Sequence, residues 1–182
     1  MLRVTDAEQG LREIAGTLSV APAGHDVGTL LAVDTLARTA EVLRLRVRTA
    51  GVDGLPLLNI RPANTSGPVE VTVYRAGGVP EPPYRLAHRL AWLSGDPLEH
   101  AEQELAGWRR LVAGWAEEPS KPMCAEVQET LLAALADDLR TADAVAALRR
   151  SLELGLPGGC LFETWAWADR MLALDLAAEV GR

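Results

Sequence analysis

Few residues in this chain could carry chemistry, and they lie far apart in sequence. His25, Asp26 and Gly28 belong to a polar turn, Gly24-His-Asp-Val-Gly28, and Thr29 opens the helical pattern that follows. A strand-to-helix turn suits a phosphate, because the first N–H groups of a helix have no intrahelical partner and sit at the positive end of its dipole. The pattern here is neither a P-loop nor G-x-G-x-x-G, and it contains no lysine. A capped turn with Asp26 as N-cap is the better account of it. His88 with Trp92 and His100 with Glu104 are i, i+4 pairs, but neither forms the H-E-x-x-H pattern of a metal site. Cys124 and Cys160 fit no metal spacing and have no local histidine, so each reads as a small buried hydrophobe. Asn64-Thr65-Ser66 beside Gly67 is a loop of hydrogen-bonding side chains that a turn explains. Metal ligands are therefore not expected.

Composition narrows the class. The chain has 182 residues, a net charge of −7 and 48% hydrophobic residues, enough for one ordinary domain or two small ones. Lys121 is its single lysine, whereas arginine and alanine abound, as in the drift of a GC-rich genome. No apolar run is long enough to span a bilayer, and the opening Met1–Gly10 lacks a signal-peptide core, so a cytoplasmic location without a membrane partner is expected. The acidic balance weighs against broad nucleic-acid binding.

Short β-like runs such as Thr17-Leu-Ser-Val20 precede a helical pattern from Thr29 to about Arg46. Residues 55–60 read as a short buried strand, giving a parallel strand–helix–strand unit. Residues 69–74 alternate with period 2 and read as the clearest strand. Gly77-Gly-Val-Pro-Glu-Pro-Pro83 punctuates the chain. Beyond it helices are predicted over 84–94, 97–116, 121–136, 142–154 and 162–177, with Pro97 and Pro122 suited to first turns and Thr141 to an N-cap. Trp108 and Trp115 share a face with Leu105, Leu111 and Val112. Such a stripe is either core or, with Trp92, a partner surface. Asp137 and Asp138 end a helix where its dipole disfavours acids, which hints at another role, such as a hydrogen bond across the inter-helix turn.

Leu135-Ala-Asp-Asp-Leu-Arg-Thr-Ala-Asp-Ala-Val-Ala-Ala-Leu148 resembles the A-L-x-D-D-L-x-T-P-x-A-L-x-x-L segment in the helical domain of cysteinyl-tRNA synthetases and of mycothiol-pathway cysteine ligases, with Ala142 in place of the proline. Leu86-Ala-His-Arg-Leu-Ala-Trp-Leu-Ser-Gly-Asp-Pro-Leu98, Ala101-Glu-Gln-Glu-Leu105 and Ala168-Asp-Arg-Met-Leu-Ala-Leu-Asp-Leu176 are similar to further segments of that domain, in the same order. More faintly, Leu2-Arg-Val-Thr-Asp6 with Gly10, Val33-Asp-Thr-Leu-Ala-Arg38 and Leu57-Leu-Asn-Ile60 resemble the family's opening, its F-D-V-L-R-R helix and the strand ending in N-I-T-D. The departures are large. Of H-I-G-H only Gly28 remains, within Asp26-Val-Gly-Thr29. No K-M-S-K-S loop occurs, and no cysteine precedes Cys124 to serve as the family's early zinc ligand.

The resemblance implies an α/β plus α fold: a reduced class I, Rossmann-type nucleotide-binding unit over 1–76, then an antiparallel helical bundle over 84–182. It implies a non-catalytic binding or regulatory protein with no bound cofactor. The partner would be another protein or a second copy, with Trp92, Trp108 and Trp115 or the edge of strand 69–74 as its surface. A diverged ATP-dependent cysteine ligase is the alternative, with His25, Asp26 and Thr29 as catalytic candidates and Gly28 against the nucleotide. A tRNA-binding accessory ranks lower, since the helical half is rich in acids.

Overall fold

A computed structural model describes residues 1–75 and 82–182. The chain is mixed α/β, with two small sheets and six α-helices among these residues. β1 (Leu2–Asp6) and β2 (Gly10–Ile14) form an antiparallel hairpin. β3 (Thr17–Pro22), β4 (Arg46–Thr49) and β5 (Val71–Val73) form a parallel sheet in the order β4-β3-β5. α1 (Val27–Val42) crosses from β3 to β4. The strand–helix–strand unit is therefore present, but its second strand is 46–49. The expected helix would have run through Arg46; it stops at Leu43, and Arg44 adopts φ 61°, which turns the chain into β4. Residues 55–60 are not a sheet strand: Pro56–Leu58 is a 3-10 turn closed by a Leu55–Ile60 bridge. A proline and the left-handed Asn59 (φ 54°) break up what composition alone makes strand-like. Of the boundary stretch 77–83, residues 77–81 lie outside the described residues.

Both outer edges of the parallel sheet are met by hydrogen-bonding groups that imitate a strand, a side chain at β4 and a side chain with one backbone N–H at β5. On β5, Thr72 donates its N–H to Asp6 Oδ2 (2.7 Å) and its carbonyl accepts from Ala7 N (2.6 Å). On β4, Asn64 accepts from Thr49 N through Oδ1 (2.9 Å) and donates Nδ2 to Val47 O (3.2 Å). Unpaired strand edges invite other chains, and these two are spent internally. The edge of 69–74 therefore does not offer the free ladder expected of a partner surface.

The helices are α2 (Leu86–Ser94), α3 (Leu98–Trp115), α4 (Ala125–Ala136), α5 (Thr141–Ser151) and α6 (Gly158–Leu172). Their starts differ in detail from expectation. Thr141 is the first helical residue, not the N-cap; Pro97 is the N-cap itself; Pro122 precedes the helix. α6 begins on two glycines because the α3–α4 connection lies against it. A Cβ on Gly159 would fall 1.9 Å from Pro119 O, and one on Gly158 2.3 Å from Glu118 Oε1.

One apolar cluster gathers the helices around Leu90, Leu131, Leu148 and Trp165; the other gathers the sheets around Leu18, Val20, Leu36 and Leu58. α1 lies against the parallel sheet and also against α4 and α6. It is consequently buried nearly all round, from Gly28 to Ala40. The turn after α4 enters the sheet-side cluster through Ala136 and Leu139. Asp137 and Asp138 explain themselves here. Asp138 accepts from Thr5 N (2.6 Å) and Thr5 Oγ1 (3.0 Å), donates its own N–H to Arg3 O (3.0 Å), and pairs with Arg75. Asp137 pairs with Arg3 and Arg140. They fasten the bundle to β1, and Asp137 also pairs across the inter-helix turn with Arg140.

Burying α1 on two sides also buries Asp34 (3% exposed) and, facing it from α2, Arg89 (0% exposed). Arg89 Nη2 meets Asp34 Oδ2 at 2.8 Å and Thr35 Oγ1 at 3.2 Å. Its Nε donates to Leu172 O (2.6 Å), and Nη1 donates to Leu58 O (3.0 Å) and Asn59 O (3.5 Å). Each of its five N–H donors has an acceptor in reach. Asp34 is also held by Arg38 Nε (2.8 Å) and Arg61 Nε (3.3 Å). Burial alone would raise the carboxyl pKa of Asp34, but Arg89 and Arg38 outweigh it and leave the pKa below the usual carboxylate value.

Replacing Arg89 with Met should cost about 3–5 kcal/mol in urea unfolding, because it removes the fully buried cation that faces Asp34 and leaves the Leu58 and Leu172 carbonyls without their donor. The depressed pKa fixes a sign. A lowered folded-state pKa means that this pairing contributes in full above about pH 5 and is lost as pH falls through the carboxylate range. Stability of the wild type should therefore fall on acidification more steeply than that of Asp34→Asn, measured by urea midpoints across pH.

Candidate functional site

The place to look for chemistry is the carboxyl end of the parallel strands, where β3 hands the chain to α1. In open parallel sheets the crevice beyond the strand ends, where the connections diverge to either side, is the usual ligand position. β3 is such a strand: α1 leads from it to β4 on one side, and β5 lies on the other. Three of the sequence-derived candidates meet there. Asp26 is the N-cap, with φ −70° and ψ 148°, and its Oδ1 accepts from Thr29 N at 2.9 Å. Gly28 and Thr29 form the first turn and are buried. His25 is exposed one residue before the cap.

The chemistry open to this turn is limited by what already occupies it. The Asp26 carboxylate takes the N–H that a phosphate would use and adds a negative charge beside it. Thr29 Oγ1 is within 3.3 Å of both Arg75 N and Arg75 O, so its hydroxyl is held by the strand end. The guanidinium of Arg75 points away, into the Asp138 carboxylate and carbonyl. The cation nearest this turn in the hydrogen-bond network is thus committed to the joint between bundle and hairpin. Among the described residues no side-chain base is hydrogen-bonded to the Thr29 hydroxyl, and a nucleophile needs one within reach.

The remaining candidates are spread through the bundle. His88 is buried and caps α2, its Nδ1 accepting from Arg85 N at 3.0 Å while Tyr84 meets its ring edge-on. His100 is exposed, 4.0 Å from Asp96 Oδ2. Cys160 is buried; Cys124 is half-buried and precedes α4, its N–H donating to Thr164 Oγ1 at 2.9 Å. Among the described residues no group of three or more His, Cys, Asp or Glu side chains is close enough to hold a metal.

The tryptophans divide by burial. Trp108 is core, 3% exposed, and lies edge-on to Trp165 with ring centroids 5.0 Å apart. Trp115 is half-buried and also lies edge-on to Trp165 (5.4 Å). Trp165 is fully buried and donates Nε1 to Ser151 Oγ at 2.9 Å. Trp92 is half-buried at the seam and packs against both apolar clusters. These rings knit the interior together, and none stands out from the surface as a group. Leu111, placed on the same stripe, is 42% exposed and marks its outer side.

Residues with the most demanding environments were not singled out by spacing. Asp34 and Arg89 each sit in an apolar helical run, and that mismatch was the signal available. Asp169 is another: both its oxygens cap the chain after α6, accepting from Leu174 N (2.7 Å) and Leu176 N (3.0 Å), while burial raises its pKa. Several concavities open on the surface of the described residues, and two of them border the elements named above. One of about 140 Å³ lies beside Asp34, Glu41, Arg61 and Asn64. One of about 490 Å³ lies between Arg3, Leu43, Leu132, Ala136 and Arg140. Neither is lined by a histidine or cysteine.

If Asp26 serves only as a cap, Asp26→Ala should lower stability by about 1 kcal/mol in urea unfolding. The variant should show no thermal shift with ATP, as removing the competing carboxylate does not create the missing cation. Compared with protein-family models, with curated proteins and with solved structures, the chain matches none.

Proposed function

We propose that this chain is a non-catalytic binding or regulatory protein, built on a reduced scaffold of the cysteinyl-tRNA synthetase and mycothiol cysteine ligase type. The resemblance of its segments in order is the basis for the scaffold, with the parallel β3–α1–β4 unit as the reduced nucleotide-binding part and α2–α6 as the helical domain. The partner would be a protein or a second copy of the chain.

One observation carries the non-catalytic reading. The first turn of α1 is closed by its own residues: Asp26 on Thr29 N, Thr29 Oγ1 on the Arg75 backbone, and Arg75 on Asp138. Adenylate formation needs donors poised where charge develops on the phosphates. Here a carboxylate stands in that position, and the loop motifs that would supply cations do not occur in the sequence.

Amino-acid-dependent ATP–pyrophosphate exchange tests this directly. Exchange should stay at background with every amino acid, cysteine included, in protein that shows a cooperative thermal transition. ATP should not raise that transition, since a ligand that binds only the folded state stabilises it by mass action. Exchange above background with cysteine would instead make the chain a diverged ligase, with the turn from Asp26 to Thr29 as its site.

A further inference from the structure

Arginines in the first 75 residues fall into two groups. Arg3, Arg38, Arg61 and Arg75 are ion-paired with Asp137, Asp34, Glu41 and Asp138. Arg12, Arg44, Arg46 and Arg48 have no acidic partner within ion-pair distance among the described residues, although the chain as a whole carries a charge of −7.

Two of them lie on β4 of the parallel sheet, Arg44 just before it, and Arg12 on β2 of the hairpin. Arg46 and Arg48 are exposed alternate residues of β4, so they share a face and stand about 7 Å apart along the strand. Their register neighbours on β3 are Thr17 and Ser19. Arg12 reaches the other side of the sheet, where its Nη1 donates to Glu70 O at 2.5 Å, and Glu70 N donates to Ser19 O at 3.1 Å. Arg44 precedes the strand. Arg48 Nη2 is 3.4 Å from Thr65 Oγ1. Neutral oxygens thus orient Arg12 and Arg48 without neutralising them.

The backbone edge of β4 is closed by Asn64, so a partner cannot be added as a further strand and must be read by side chains. A guanidinium offers a planar fork that matches a carboxylate. An extended polypeptide carries its same-face side chains at the same spacing of about 7 Å. We propose that the β4 face, through Arg46 and Arg48 with Arg12 and Arg44 flanking, docks an extended acidic polypeptide segment with carboxylates at alternate positions. The net charge of the chain opposes a long nucleic-acid polyanion, whereas a short segment meets only the local arginines. No aromatic residue occurs on β2, β3 or β4 to stack a base.

This assignment names the partner for the binding module proposed above and rests on that reading. The test is fluorescence anisotropy of a fluorescein-labelled peptide alternating glutamate with threonine, titrated with the full chain in the absence of nucleotide. Saturable binding is expected, weakening as salt rises. Arg46→Glu/Arg48→Glu should weaken it roughly tenfold or more. Arg46→Gln/Arg48→Gln, which keeps side-chain bulk, should weaken it in the same direction. Arg150→Glu, at an exposed arginine on α5, should bind as the wild type does. Absence of binding would overturn the assignment, as would an equal loss in Arg150→Glu. Tighter binding of a single-stranded oligonucleotide at the same salt would overturn it in favour of nucleic acid. Failure here leaves the non-catalytic reading standing, and exchange activity would remove that reading without altering this titration.

Discussion

A buried arginine holds this molecule in register. Arg89 enters from α2 and is met by α1 through Asp34 and Thr35, by the 3-10 turn through Leu58 and Asn59, and by the end of α6 through Leu172. Desolvating a guanidinium and a carboxylate is costly, and their attraction offsets that cost only when the remaining donors and acceptors are satisfied. Here they are. An apolar pair of similar volume would tolerate sliding of α1 against α2. A fork of five directed donors does not, and so it specifies one arrangement of sheet, turn and bundle.

The same device recurs at lower stakes. Asp6, Asn64, Asp138 and Asp169 each use a short polar side chain to accept from backbone N–H groups that would otherwise go unpaired. Three of these four tie together segments far apart in sequence. Hydrogen bonds to a charged acceptor are stronger than neutral ones, and a buried or edge N–H left without a partner is costly. A small parallel sheet with two exposed edges would tend to associate non-specifically. Closing both edges internally leaves recognition to side chains on the sheet face, where the uncommitted arginines stand.

Function follows from the contrast between committed and uncommitted groups. At the α1 turn Asp26 and Thr29 are engaged with their neighbours, and the nearby cation is engaged with Asp138. Such a turn stabilises a helix and has little left to offer a phosphate. On β4 the reverse holds: Arg46 and Arg48 are exposed and have no ion pair among the described residues, and Arg48 lies against the neutral Thr65 hydroxyl.

Sequence alone determined the local grammar. Asp26 as N-cap, the Trp108 and Trp115 stripe, five helices after residue 83 and a parallel strand–helix–strand unit all follow from periodicity and capping, which act over a few residues. Pairing across long separations was not legible. The strand at 46–49 outcompeted the more apolar 55–60, because only the tight turn at Arg44 and a proline-started 3-10 turn decide which segment reaches β3. Asp34 looked like one residue of an amphipathic helix, and Arg89 like an interruption in another. Their union depends on α1 being covered on two sides, a property of the assembled layers. Asp137 and Asp138 betrayed a second role by disagreeing with the helix dipole, yet their partners, Arg3 and Thr5, lie more than a hundred residues away. Local propensity cannot select among such distant partners, and only the tertiary structure brought them together.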